Sequence, residues 1–147
     1  MQLLSRFYRL LNISEGLGGV DSGSLSFQTR CTRMLARVMT GNNNVAVGYN
    51  ALSGLTTGDF NIGIGHGAGY DITTGASNII FGRLAGDTMT TTSNTVLIGH
   101  DAGGAINSTD ADGTVAIGYE AGKAITSAVQ STLVGYEAGK GKREGTL

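Results

Sequence analysis

Six side chains follow a glycine at near-constant spacing: Tyr49, His66, Arg83, His100, Tyr119 and Tyr136. Aromatic rings offer flat apolar faces with polar tips, so a ridge of this composition has the chemistry to hold a sugar chain or another receptor group. The competing reading is a solvated or subunit-bridging corner. His66 and His100 are two repeats apart, about 10 Å at β-stack spacing, too far to share one metal within a chain. Three copies of one histidine around a threefold axis are the remaining route to an ion. The next column holds Asn50, Gly67, Leu84, Asp101, Glu120 and Glu137. Its acids would repel at about 5 Å spacing, and Lys123 and Lys140, three residues after Glu120 and Glu137, are suited to relieve them. A carboxylate pair can do acid–base work, but nothing in the pattern supplies a cleft. Asp110-Ala-Asp-Gly113 matches only part of a calcium loop. Gly63-Ile-Gly-His-Gly-Ala-Gly69 has the glycines of a dinucleotide loop without the helix that should follow. With no Ser/His/Asp set, Cys/His cluster or phosphate loop, the expectation is a non-enzyme without cofactor or metal.

What positions these columns is a repeat over residues 44–140. An apolar triplet ending in Gly recurs six times: Val45-Ala-Val-Gly48, Ile62-Gly-Ile-Gly65, Ile79-Ile-Phe-Gly82, Val96-Leu-Ile-Gly99, Val115-Ala-Ile-Gly118 and, with Thr first, Thr132-Leu-Val-Gly135. The glycines are 17, 17, 17, 19 and 17 residues apart. Ala follows each by three residues, and Leu55, Ile72, Met89, Ile106 and Ile125 follow five of them by seven; Lys142 occupies the sixth such place. A fixed period of this kind marks a stacked solenoid, in which one unit cannot bury its apolar face alone. Each triplet reads as a short strand, and the segment from Ala to the large apolar residue, closed by Thr/Ser/Gly/Asp turns, reads as the second half of the coil. The expected fold is all-β: a β-roll of about six 17-residue coils with two strands each. The two extra residues of the longer period fall in 107–113, an outer-loop insertion.

Period 2 puts the first and third residues of each triplet on one face, which the apolar content assigns to the inside of the coil. The middle residues Ala46, Gly63, Ile80, Leu97, Ala116 and Leu133 then face outward. None is polar, so this outer face is expected to be covered by sister chains, with these six residues as the subunit interface.

The runs Asn44-Val-Ala-Val-Gly-Tyr-Asn-Ala-Leu52 and Thr114-Val-Ala-Ile-Gly-Tyr-Glu-Ala-Gly122 resemble the repeats of bacteriophage tail fibres. They are also similar to the head repeats of trimeric autotransporter adhesins, whose unit is shorter. The resemblance covers about two thirds of the chain. It implies a homotrimer of β-rolls about one axis and a structural role in a virion, with a cell-surface adhesin or glycan-binding module as the alternative. The chaperone domain that ends many such phage fibres has no counterpart here. A third reading, an ice-binding solenoid, rests on the threonines at 56–57, 73–74 and 90–92, which thin out in later repeats.

Residues 1–41 differ from the rest. They carry five arginines against two acids, whereas 42–147 carry five bases against nine acids, within a net charge of −1. No strong basic field points to nucleic acid. Leu3, Leu4, Phe7, Leu10 and Leu11 fall at helical spacing, residues 24–31 alternate like a strand, and 32–40 suit a short helix. The segment is expected to be a partly helical arm that caps the first coil or docks onto other virion proteins, followed by the repeat domain 42–140 and a polar tail 141–147. No secretory signal or membrane span is read from the sequence, and Cys31 is the single cysteine, which fits assembly in a host cytoplasm.

Overall fold

The computed structural model of the chain describes residues 25–27, by backbone, together with 40–127 and 130–141. The expected helix of Leu3, Leu4, Phe7, Leu10 and Leu11, the second short helix and the tail beyond 141 lie outside the described residues. The rest is a parallel β-solenoid of about five turns. Its strands are β1 (Leu25–Phe27), β2 (Val45–Val47), β3 (Ile62–Ile64), β4 (Ile79–Phe81), β5 (Val96–Ile98), β6 (Val115–Ile117) and β7 (Thr132–Val134). They form one parallel sheet in chain order. Val45, Ile62, Ile79, Val96, Val115 and Thr132 stand in one row across it. β1 pairs with β2 in the same register, so the sheet begins inside the segment expected to be an arm and covers the open edge of the first repeat.

Each coil contributes one strand, not the two expected. The other half is a pair of tight turns, closed in the first repeat by Ala51 N–H donating to the Gly48 carbonyl and Leu55 N–H to the Leu52 carbonyl. Left-handed backbone at Asn50, Leu84, Asp101, Glu120 and Glu137 bends this half out of extended conformation. Hydrogen bonds still join coil to coil there, as from Leu52 N–H to the Ala68 carbonyl and Gly54 N–H to the Tyr70 carbonyl, both 2.9 Å.

The structure also reverses the two faces of the strand. Ala46, Gly63, Ile80, Leu97, Ala116 and Leu133, expected at a subunit interface, are buried in the chain's own core. They meet the alanine column (Ala51, Ala68, Ala85, Ala102, Ala121) and the column Leu55, Ile72, Met89, Ile106, Ile125. The first and third residues point out: Ile79 is 43% exposed, Phe81 52% and Val134 66%. The reason is width. A coil with one three-residue strand between tight turns has room for one inward strand side chain, not two.

Two details show how unequal coils still stack. Gly63 leaves a hole in the inward column, and Leu52 of the preceding coil fills it: a Cβ on Gly63 would lie 2.7 Å from Leu52 Cγ. The longer fourth period is absorbed by a 3-10 turn, Thr109–Ala111, capped by Ser108 Oγ accepting from Asp110 N–H at 3.1 Å. Ala111 fills the core there, and the Asp112 carboxylate accepts from Ser93 N–H at 2.7 Å, a turn rather than an ion loop.

The residue before each strand forms a second, polar core. Asn61 Nδ2 donates to Asn44 Oδ1 at 3.1 Å and to the Gly75 carbonyl at 2.9 Å. Asn78 Nδ2 does the same one coil on, to Asn61 Oδ1 and the Thr92 carbonyl, both 2.9 Å. Thr95 Oγ1 continues the series, donating to Asn78 Oδ1 at 2.8 Å. All four residues are buried, and the ladder satisfies amides that would otherwise be expensive to bury.

Candidate functional site

Two surfaces bring together the chemistry read from the sequence. The first starts at the strand end, where each glycine turns the chain and sends the next side chain outward. In-register stacking then sets these side chains one above another. Tyr49 stacks on His66 with ring centroids 5.2 Å apart, His100 on Tyr119 at 5.3 Å and Tyr119 on Tyr136 at 5.2 Å. In the middle of the column Arg83 Nη1 donates to His100 Nε2 at 2.8 Å. That bond makes Nε2 the acceptor and leaves the ring hydrogen on Nδ1, which faces the Asp101 carboxylate at 3.6 Å.

The six residues expected as a receptor ridge are therefore a column, but of a different kind from the one the sugar reading needs. Where the rings stack on one another, their edges rather than their faces are turned outward, and the Arg83 guanidinium is held by His100. A free flat face is offered by Tyr136, 74% exposed and the last of the described stack. Face stacking on a sugar along the whole ridge has no geometric basis here. The threonines divide in two. Thr56 Oγ1 donates to the Thr73 carbonyl at 2.8 Å and Thr73 Oγ1 to the Thr90 carbonyl at 3.0 Å, so these two hydroxyls serve the stack, whereas Thr57, Thr74 and Thr91 beside them are exposed.

Beside the ridge runs the acid column. Lys123 Nζ lies 2.9 Å from Asp101 and 2.8 Å from Glu120, bridging two coils, and Lys140 pairs with Glu137. The repulsion expected among these acids is thus relieved by the lysines named for it. Glu120 titrates below the usual range, chiefly through its hydrogen bond from Lys123. Lys123 is raised by Glu120 first and Asp101 second. Tyr119 is raised because its hydroxyl bonds to the Glu120 carboxylate. Asp87 is raised, mainly by burial and next by Asp101. Among the described residues, His100, Asp101 and Glu120 offer three donor atoms within 4.8 Å of one another. The Lys123 ammonium already sits on both carboxylates, so this group is built as an ion-pair network rather than as a cation site.

The second surface is the outward face of the sheet, which sequence reasoning assigned to the interior. From β2 to β7 its first and third positions are apolar except Thr132. Among the described residues no helix is long and apolar enough to cross a membrane. No family model matches the chain, and no curated protein or solved structure is significantly similar to it.

The residues that sequence reasoning missed are the ladder Asn44, Asn61, Asn78 and Thr95. Their signal was a polar residue directly before every triplet, which reads equally well as a turn boundary. The Leu52–Gly63 compensation had a fainter one: the only large residue in a column otherwise Gly coincides with the only Gly in the inward strand column.

Proposed function

We propose that this chain is a structural fibre protein of a phage virion, a tail fibre or similar appendage. In this reading three copies form a shaft, the N-terminal segment attaches it to other virion proteins, and its exposed columns meet the host surface. Its work is mechanical: coils joined on all sides by hydrogen bonds make a stiff spacer with few long loops for proteases. The observation that carries the reading is the apolar outer sheet face, with Ile79, Phe81 and Val134 standing in water on a lone chain. A protein whose working form is a bundle of sister chains gives that face a purpose. The repeat resemblance to phage fibres supplies the biological setting.

The test is to purify particles from a host that produces this protein and to measure its copy number and its mass in solution. The reading expects recovery in fixed proportion to the other virion proteins and a mass of three chains. A protein absent from particles, or a stable single chain in solution, would sink it.

A further inference from the structure

We infer that the outward face of the sheet is where copies of this chain meet, with the Tyr/His/Arg column along one rim of the contact. The number of copies rests on the fibre reading; the location of the contact does not.

A contiguous apolar patch left exposed on a folded chain marks an interaction surface. Here the inner face is covered by the turn half of each coil, through Leu55, Ile72, Met89, Ile106 and Ile125. Nothing among the described residues covers the outer one, where Ile62, Ile79 and Phe81 stand exposed. The face carries no charge, so it does not suit a partner that reads charge. Its pattern is instead a row of branched and aromatic side chains repeated at every strand, about 4.8 Å apart. A surface with the same period, composition and length is another copy of the same rod, lying alongside with its coils in step.

The size agrees. From β2 to β7 the strip is about 24 Å tall and about 10 Å wide, roughly 250 Å² in plan. A stable contact needs roughly 800 Å² from each partner. The strip is thus the apolar core of such a contact, and the columns flanking it complete the area as a more polar rim. On one flank that rim is Tyr49 through Tyr136; on the other it includes Phe60, 60% exposed.

The rival occupant is the amphipathic segment carrying Leu3, Leu4, Phe7, Leu10 and Leu11. As a helix it would be about 22 Å long, enough to lie along the strip. Its turns rise about 5.4 Å against about 4.8 Å per strand, so its side chains fall out of step by about 3 Å over five strands. A sister rod keeps step throughout.

The experiment uses the full chain with photoreactive benzoylphenylalanine in place of Phe81, with mass determination before and after irradiation, alongside Ile79→Lys and a control, Tyr70→Lys, exposed on the turn half of the coil. The inference expects adducts between chains that map to β3, β4 or β5 of the other copy. Ile79→Lys should keep the native circular dichroism and raise the dissociation constant roughly thirtyfold or more, and Tyr70→Lys should not. Adducts within one chain to residues 1–24 would overturn the inference in favour of the N-terminal segment. An oligomer that gives no adducts from position 81 and survives Ile79→Lys would also overturn it, while leaving the fibre reading standing. A mass of two chains with adducts on this face would uphold the contact and remove the threefold fibre. A lone chain without adducts would end both.

Discussion

The asparagine ladder makes the sharpest demand on stability. Asn61→Ala would delete four hydrogen bonds: from Nδ2 to Asn44 Oδ1 and to the Gly75 carbonyl, and from the Asn78 N–H and Nδ2 to Oδ1. Asn44 Oδ1 keeps the Asn61 N–H at 2.8 Å, and Asn78 Nδ2 keeps the Thr92 carbonyl. The Asn78 N–H and the Gly75 carbonyl lose their partners in a site closed to water. Each orphaned buried group costs about 1–3 kcal/mol, so the variant should lose about 2–6 kcal/mol. That is a large share of the roughly 5–15 kcal/mol typical of a folded domain. Asn61→Thr should recover part of it, because Thr95 in the same column reaches the amide oxygen before it through both its N–H and its hydroxyl. Urea unfolding followed by circular dichroism, at one fixed protein concentration so that association contributes equally, measures the difference. An Asn61→Ala midpoint within about 0.5 kcal/mol of the parent at unchanged slope would show that the ladder is not what satisfies this corner.

Three further outcomes follow from the same stack. A Cβ on Gly82, at φ 140°, would lie 2.3 Å from the Gly99 carbonyl oxygen, whereas one on Gly135, at φ 129°, meets nothing. Gly82→Ala should therefore cost on the order of 3 kcal/mol or more and Gly135→Ala only about 1–2 kcal/mol of backbone strain, and equal losses in urea unfolding would rule out the contact as the cause. Leu52→Gly should cost about 2–5 kcal/mol by emptying the space beside Gly63. Adding Gly63→Leu, which restores the arrangement of other coils, should recover much of that, and additive losses in the cycle would refute the compensation. Lys123→Met should move the Glu120 titration up toward the ordinary value of 4.5, seen by carboxyl NMR. Because the folded value is depressed, the stability from Glu120 is present above about pH 4.5 and lost as pH falls through the folded value, so the variant's melting temperature should respond less to acid below that pH. Asp87 works in the opposite sense: its raised value favours the protonated form in the fold, so its contribution declines as pH rises above the ordinary 3.8. An unchanged Glu120 titration would show that Lys123 does not set it.

Much of this fold was legible because a solenoid writes its period directly into the chain. The spacing of Gly48, Gly65, Gly82, Gly99, Gly118 and Gly135 announced stacking, the triplets announced strands in register, and the tyrosine, histidine and arginine places announced a column. The site was less legible than the fold. Alignment of side chains into a column follows from repetition, but whether their rings turn toward each other or toward a ligand depends on rotamers, and only the folded structure shows Tyr119 stacked between His100 and Tyr136.

By itself, then, the order of residues determined the repeat, the parallel stacking and which residues share a column, since these depend only on period. Tertiary structure decided which side of the strand is inside. Alternation defines two faces without labelling them, and both faces here are apolar. The label comes from the path of the rest of the coil: the turns at Asn50–Leu55 fold over the Ala46 side, and the same turns across the stack close a core too narrow for a second strand residue. That one geometric fact sends Ile79 and Phe81 out to the surface, where the question of a partner begins.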